Sequence, residues 1–193
     1  VYFAAATVIL NSAYWGQADS LYTTFLLVCL YFLLTERPFM SMLAFGIAFS
    51  IKAQAVFLLF FLGVMAIRKK IHWLYFGMIP IVYLVAILPV VILGRPLFDA
   101  LLIYVKQSSS YPVLSMDAPN IYILIPTEWY SSIMPVGISA TIILITNWVY
   151  STSQSRMEFD GKHIVLIAFI STALVPFLLP KMHDRYFYPA DLF

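Results

Sequence analysis

FMSMLAFGIAFSIKAQAVFLLFFLGVMAI, residues 39–67, is the stretch on which the fold turns. Read as one helix, it is about 43 Å long at 1.5 Å per residue, beyond the ~30 Å that a hydrocarbon core requires. That reading also sets Lys52 near the bilayer centre, at a cost of at least ~2.5 kcal/mol. Read as two short helices turning at Ser50-Ile51-Lys52-Ala53-Gln54, the stretch carries Lys52 to a membrane face, and each arm spans only about 21–23 Å. The hairpin further brings Arg37, the run Arg68-Lys69-Lys70, and the linker with Arg156 and Lys162 to one side. Short basic connections of this kind belong in the cytoplasm by the positive-inside rule. With a single long helix that bias disappears, so the hairpin is the expectation.

The flanks agree with a membrane setting. Residues 71–93 and 132–150 hold no Asp, Glu, Lys or Arg, and residues 163–180 form a third apolar run with Pro176 near its end. Residues 21–34 are apolar but short, and the turn-forming Thr35-Glu36-Arg37-Pro38 closes them. The whole chain of 193 residues is 63% hydrophobic and 10% charged, with a mean hydropathy of +0.93. A soluble domain carries about 25% charged residues, and one of this size cannot hide so much apolar surface. The same figures exclude a disordered chain, and the lone Cys29 excludes a disulfide framework. A net charge of +2 spread over the polar gaps forms no basic stripe for nucleic acid. The expectation is an all-α, polytopic transmembrane helical bundle with roughly six crossings or part-crossings, one domain over residues 1–193. Val1 stands inside an apolar run with no initiator Met before it, so the chain reads as a fragment of a longer protein.

On the hairpin topology, four polar segments share the non-cytoplasmic face: residues 11–20, 50–54, 94–131 and 181–193. The 94–131 loop is long enough to suggest function. Within it, residues 96–107 are amphipathic, with Leu97, Leu101, Leu102 and Val105 toward one side, as suits a helix lying in the interface.

Three groups of residues could carry chemistry. The segment Asn11-Ser12-Ala13-Tyr14-Trp15-Gly16-Gln17-Ala18-Asp19-Ser20 combines a carboxylate, amides and an indole at a membrane surface. Such a carboxylate serves as a base or metal ligand, while Trp15 and Gln17 can hold a sugar ring. The plainer reading makes Asp19 or Ser20 a helix N-cap and Trp15 part of the aromatic belt. The segment Pro180-Lys181-Met182-His183-Asp184-Arg185-Tyr186-Phe187-Tyr188-Pro189 packs cations, an imidazole, a carboxylate and phenols together. Arg185 suits bidentate phosphate binding and Lys181 supplies a point charge. Its plainer reading is a juxtamembrane loop of snorkelling cations and interfacial tyrosines. Lys52 with Gln54 is the third group, either a functional pair or a snorkelling lysine and its neighbour. No zinc-ligand spacing, Gly-rich phosphate loop or Gly-x-Ser-x-Gly elbow occurs.

These motifs carry a resemblance. The segment from Asn11 to Asp19 resembles the Trp-Gly-Gln-x-Asp element of polytopic membrane glycosyltransferases of the GT-C class. Met182-His183-Asp184-Arg185-Tyr186 is similar to the later His-(Asp/Glu)-Arg-Tyr element of those enzymes, and residues 45–59 with Lys52 and Gln54 look like the helical pair between the two. The resemblance implies a mannosyl- or glucosyltransferase-like enzyme that moves a sugar from a polyprenyl-phosphate donor to a lipid, glycan or protein acceptor. It implies a multi-pass protein (of the plasma membrane, if bacterial) whose active site lies on the non-cytoplasmic face. It assigns catalysis to Asp19, His183 and Asp184, and substrate binding to Trp15, Gln17, Lys52, Gln54, Lys181, Arg185 and Tyr186. The usual catalytic carboxylate of the class would precede Val1, and the metal, a divalent ion if there is one, stays open. The alternative is a transporter or flippase for a lipid-linked or anionic substrate. That alternative predicts repeat symmetry and helices broken at the midplane, which the sequence does not display.

Overall fold

A computed structural model describes residues 6–14, 16–108 and 112–193, and helix makes up 75% of it. The decisive stretch is broken where the sequence places the turn. Helix α3, Pro38–Ile51, follows α2, Asp19–Leu34, which itself follows a short α1, Ala6–Val8, continued as a π-helical turn over Ile9–Tyr14. Helix α3 stops at Lys52, whose backbone is extended at φ −153° and ψ 129°. A 3₁₀ segment, Ala53–Leu58, then leads into α4, Leu59–Ile67.

Each departure from regular helix leaves backbone groups to satisfy. The Tyr104 hydroxyl donates to the carbonyls of Phe49 at 2.8 Å and Ser50 at 3.0 Å, covering the end of α3. Burial pushes this phenol up to about 12, so it remains a donor at any working pH. At the change from 3₁₀ to α, Ser171 takes the place of one helical bond. Its hydroxyl donates to the Phe57 carbonyl at 2.6 Å and accepts the Phe61 N–H at 3.3 Å.

Both ends of the broken stretch lie at one end of the bundle. The Arg68 guanidinium donates to the carbonyls of Ser153, Ser155 and Met157 at 3.2–3.3 Å. Those carbonyls link α8, Tyr130–Gln154, to α9, Gly161–Leu178. At the same end Leu34, which closes α2, reaches within 3.8 Å of the Cβ position of Gly161, and Pro38 opens α3 four residues later. Residues 38–67 are therefore a hairpin.

Among the described residues, three helices are long and apolar enough to cross a membrane: Trp73–Ile92, Thr127–Gln154 and Gly161–Leu178. The first contains a 3₁₀ lead, Trp73–Gly77, and α5, Met78–Ile92. Asp19–Leu34, Pro38–Ile51 and Ala53–Ile67 are apolar but shorter. In α2 the core stripe is Tyr22, Leu26, Leu30 and Leu33, at the three- and four-residue spacing of one helix face. It packs against Met42 and Phe45 of α3, Phe61, Leu62 and Met65 of α4, and Ile164, Ile167 and Ala168 of α9. Gly46 lets α3 and α5 approach closely, because an added Cβ there would meet Val82 at 3.1 Å and the Met78 carbonyl at 3.2 Å. Along α5, by contrast, Ile81, Leu84, Val85, Leu88 and Ile92 stay exposed, a surface suited to lipid rather than water.

The structure adds detail to two expectations. The expected 94–131 loop ends earlier, since the 3₁₀ turn Thr127–Trp129 runs straight into α8. Its amphipathic part is two short helices, α6, Leu97–Leu101, and α7, Ile103–Ser108, with Leu97, Leu102 and Val105 outward and Ala100 buried. The chain is also not helix alone. Ser115–Met116, β1, pairs in parallel with Met182–His183, β2. So small a pairing carries no hydrophobic alternation by which a sequence could announce it.

Candidate functional site

The four polar segments meet at the other end of the bundle. The π turn of Ile9–Tyr14 is wider than an α turn and places Asn11 inward, 5% exposed. The Gln17 N–H donates to the Asn11 carbonyl at 3.0 Å and closes the loop onto the start of α2. Asp19 opens α2, but the N-cap is Ala18 and no side chain caps the helix. The plain capping reading of Asp19 thus fails. Its carboxylate is fully buried, forms an ion pair with Lys52, and accepts from Asn11 Nδ2 at 3.1 Å. Lys52 stands at the break itself, on extended backbone between α3 and the 3₁₀ segment. The Lys52 ammonium also stands over the rings of Tyr22 at 5.6 Å and Tyr186 at 5.9 Å.

The segment after α9 completes the cluster. The loop from residue 112 to 126 and helix α8 strap it down: Tyr122 OH from the loop and Thr141 Oγ1 from α8 donate to the Leu178 carbonyl at 3.0 and 2.6 Å. Asn120 Nδ2 donates to the Leu179 carbonyl at 3.2 Å, and the Lys181 N–H to the Leu114 carbonyl at 2.7 Å. Thus held, the chain forms β2 and a 3₁₀ turn, Asp184–Phe187. His183 Nδ1 pairs with Asp184, whose same oxygen accepts the Arg185 N–H at 2.7 Å. Arg185 Nη1 donates to Gln17 Oε1 at 2.6 Å, tying together residues 168 apart in sequence. The ring of Tyr186 lies 6.0 Å from that of His183 and 6.2 Å from that of Phe57.

Asp19, Gln17, Lys52, His183, Asp184, Arg185 and Tyr186 therefore form one connected group. Lys181 directs its ammonium over the Tyr130 ring at 5.8 Å, at the start of α8. Gln54 is half-buried in the 3₁₀ segment below Lys52. Trp15 lies outside the described residues. The sequence reading quoted Asn11 but gave it no role, although an amide in an apolar run eight residues before a carboxylate is a usable signal. Tyr22 and Phe57 were missed outright, since an aromatic in an apolar run looks like any core residue.

The group has unused capacity. Asn11 Oδ1, Ser12 Oγ and Arg185 Nε are buried without a hydrogen-bond partner among the described residues, and buried polar atoms in that state call for an explanation. From Ser12 and Ser20 a cavity of about 690 Å³ runs along α2 past Leu21, Thr24 and Val28 to Tyr31. No family model matches the chain, and no curated protein or solved structure does either. Among the described residues no three His, Cys, Asp or Glu side chains gather to hold a metal ion, and Asp19 is engaged by Lys52 instead, so no metal-dependent step is derived.

Proposed function

We propose that the chain is a membrane glycosyltransferase of the GT-C type, which transfers a sugar from a polyprenyl-phosphate donor to an acceptor hydroxyl on a lipid, glycan or protein. Its apolar helices make roughly six crossings or part-crossings, and the group around Asp19 works on the non-cytoplasmic face. The observation that carries this reading is the Gln17–Arg185 contact beside the Asp19–Lys52 pair, which joins the two motifs at one membrane-facing end.

The residues divide the work. Arg185, with Nε unused, and Lys52 bind the donor phosphate, and the cavity along α2 takes apolar chain. Gln17 and Trp15 hold the sugar. Asp19, fully buried, contacts no substrate and acts as a positioning residue for Lys52 and Asn11. With its Nδ1 proton held by Asp184, His183 keeps the Nε2 lone pair for the acceptor. The acceptor oxygen attacks the anomeric carbon, the bond from that carbon to the phosphate oxygen breaks, the phosphate leaves with the electron pair, and His183 takes the hydroxyl proton. A transport pathway would instead string polar side chains through the bilayer. The main apolar cluster includes Leu26, Leu30, Phe45 and Phe61, and the fully buried polar residues on these helices away from Asp19 are uncharged hydroxyls, Thr23, Ser41, Ser171 and Thr172, which favours the transferase.

Loss of one charge-assisted contact to phosphate costs about 1.5–3 kcal/mol. Arg185→Ala should therefore lower donor binding or transfer at least about tenfold. Wild-type binding and transfer in that variant would remove Arg185 from the site and this reading with it.

A further inference from the structure

At the end of the bundle opposite Asp19, a cavity of about 450 Å³ opens between the ends of α4 and α8. Arg68, Lys69 and Lys70 supply its charge, Ser153 and Gln154 its polar edge, and Phe159 an apolar wall. Among the described residues no carboxylate lines it. Arg68 is already committed: it bonds three carbonyls and stacks on Phe159 at 4.2 Å. Its charge remains, fixed in place by those contacts. Lys69 and Lys70 are exposed and form no ion pair among the described residues.

The backbone adds an independent observation. Helices α2, α4 and α5 end in the same motif, in which two successive N–H groups bond back to the last turn. The position that turns left-handed is Gly94 after α5, at φ +100°, but Glu36 after α2, at φ 57°, and Lys69 after α4, at φ 59°. Glycine takes that conformation without steric cost, and lysine does not. The chain thus holds a strained lysine at the mouth of a basic cavity, where glycine would close the helix better.

We propose that this cavity binds a phosphate group, with Lys69 and Lys70 as its direct ligands and Arg68 as the fixed positive wall. A phosphate matches the charge set, and the volume accommodates a small headgroup beyond it. Basic pockets at the ends of spanning helices suit anionic lipid headgroups in this way. The inference does not depend on the transfer reading, because the two sites lie at opposite ends.

The test is thermal stability and binding of the purified chain in neutral detergent. The probes are a short-chain phosphatidylglycerol, the matching phosphatidylcholine and inorganic phosphate. The Tm of the wild type should rise with phosphatidylglycerol and stay unchanged with phosphatidylcholine. If inorganic phosphate alone reproduces the rise, the ligand is a free phosphate; if only the anionic lipid does, it is a headgroup. Both results support the site. Lys69→Gly should raise the Tm without ligand, because strain is relieved, yet bind the active probe at least about tenfold more weakly. Lys70→Gln should weaken binding without that gain. Unchanged affinity in both variants, or no response of the wild type to either anion, overturns the proposal.

Discussion

Asp19 and Lys52 are the residues on which the site balances, because a carboxylate with no exposed surface has no solvent to replace a lost partner. Removing one member of a buried ion pair costs about 3–5 kcal/mol, most of it from the stranded charge. Lys52→Met should therefore destabilise the chain by about that amount in chemical unfolding, and adding Asp19→Asn should recover much of the loss. Equal effects of the single and double variants would mean that the pair is not formed. Asp160 gives a contrasting case outside the spans. Its carboxylate caps α9, accepting the His163 N–H at 2.9 Å, and this bond, seconded by the His163 ring, holds its carboxyl below the ordinary range. A depressed carboxylate adds stability that is complete above the unfolded value of about 3.9 and is lost as pH falls through the lower folded value. Asp160→Ala should thus lower the Tm at neutral pH, and the gap to wild type should close toward pH 3 or below. A gap independent of pH would show that the carboxylate charge contributes nothing. Asp160 stands just before an apolar run, the usual place of a cap, whereas Asp19, also at a helix start, caps nothing, and no local signal separates the two.

Among elements, the hairpin of residues 38–67 was legible because lysine is expensive in hydrocarbon and because the basic connections had to fall on one side. The form of the break was not. A 3₁₀ lead into α4 needs a partner for the displaced helical bond, and Ser171 supplies it from 110 residues away in sequence. No local propensity encodes such a bond. Ser171→Ala should leave the Phe57 carbonyl and the Phe61 N–H both unpaired in a dry core. Each stranded group costs about 1–3 kcal/mol, so a loss of at least about 2 kcal/mol should appear in unfolding, while Ser171→Thr should keep much of the bonding. A loss in Ser171→Ala below about 0.5 kcal/mol would show that the hydroxyl does not bridge the break. The β1–β2 pairing escaped the sequence for a related reason: two residues per strand carry no periodicity, and the pairing depends on the loop having been strapped down by Asn120 and Tyr122.

At the scale of the molecule, the meeting of Asn11, Gln17, Asp19 and Lys52 with residues 183–186 followed from topology alone: once the hairpin is granted, both motifs end apolar segments on one side. Which atoms touch did not follow, because Gln17 and Arg185 are joined only through packing accumulated over the whole chain. The same topology makes a prediction about sidedness that a single-helix reading reverses. Glu36, Lys70 and Glu158 are exposed at the end where Arg68 grips the α8–α9 linker, whereas Gln107 and Leu124 are exposed on the segments that join the site end. The native Cys29 is buried and paired with Ser41, so it gives little background to a thiol reagent. Single variants Glu36→Cys, Lys70→Cys, Glu158→Cys, Gln107→Cys and Leu124→Cys can be labelled with a membrane-impermeant maleimide in sealed vesicles of one orientation. The first three should label together from one side and the last two from the other, with the pattern exchanged in inverted vesicles. Labelling of Glu36→Cys with the Gln107→Cys group would mean that residues 38–67 cross the membrane once, which would separate Lys52 from Asp19 and dissolve the site.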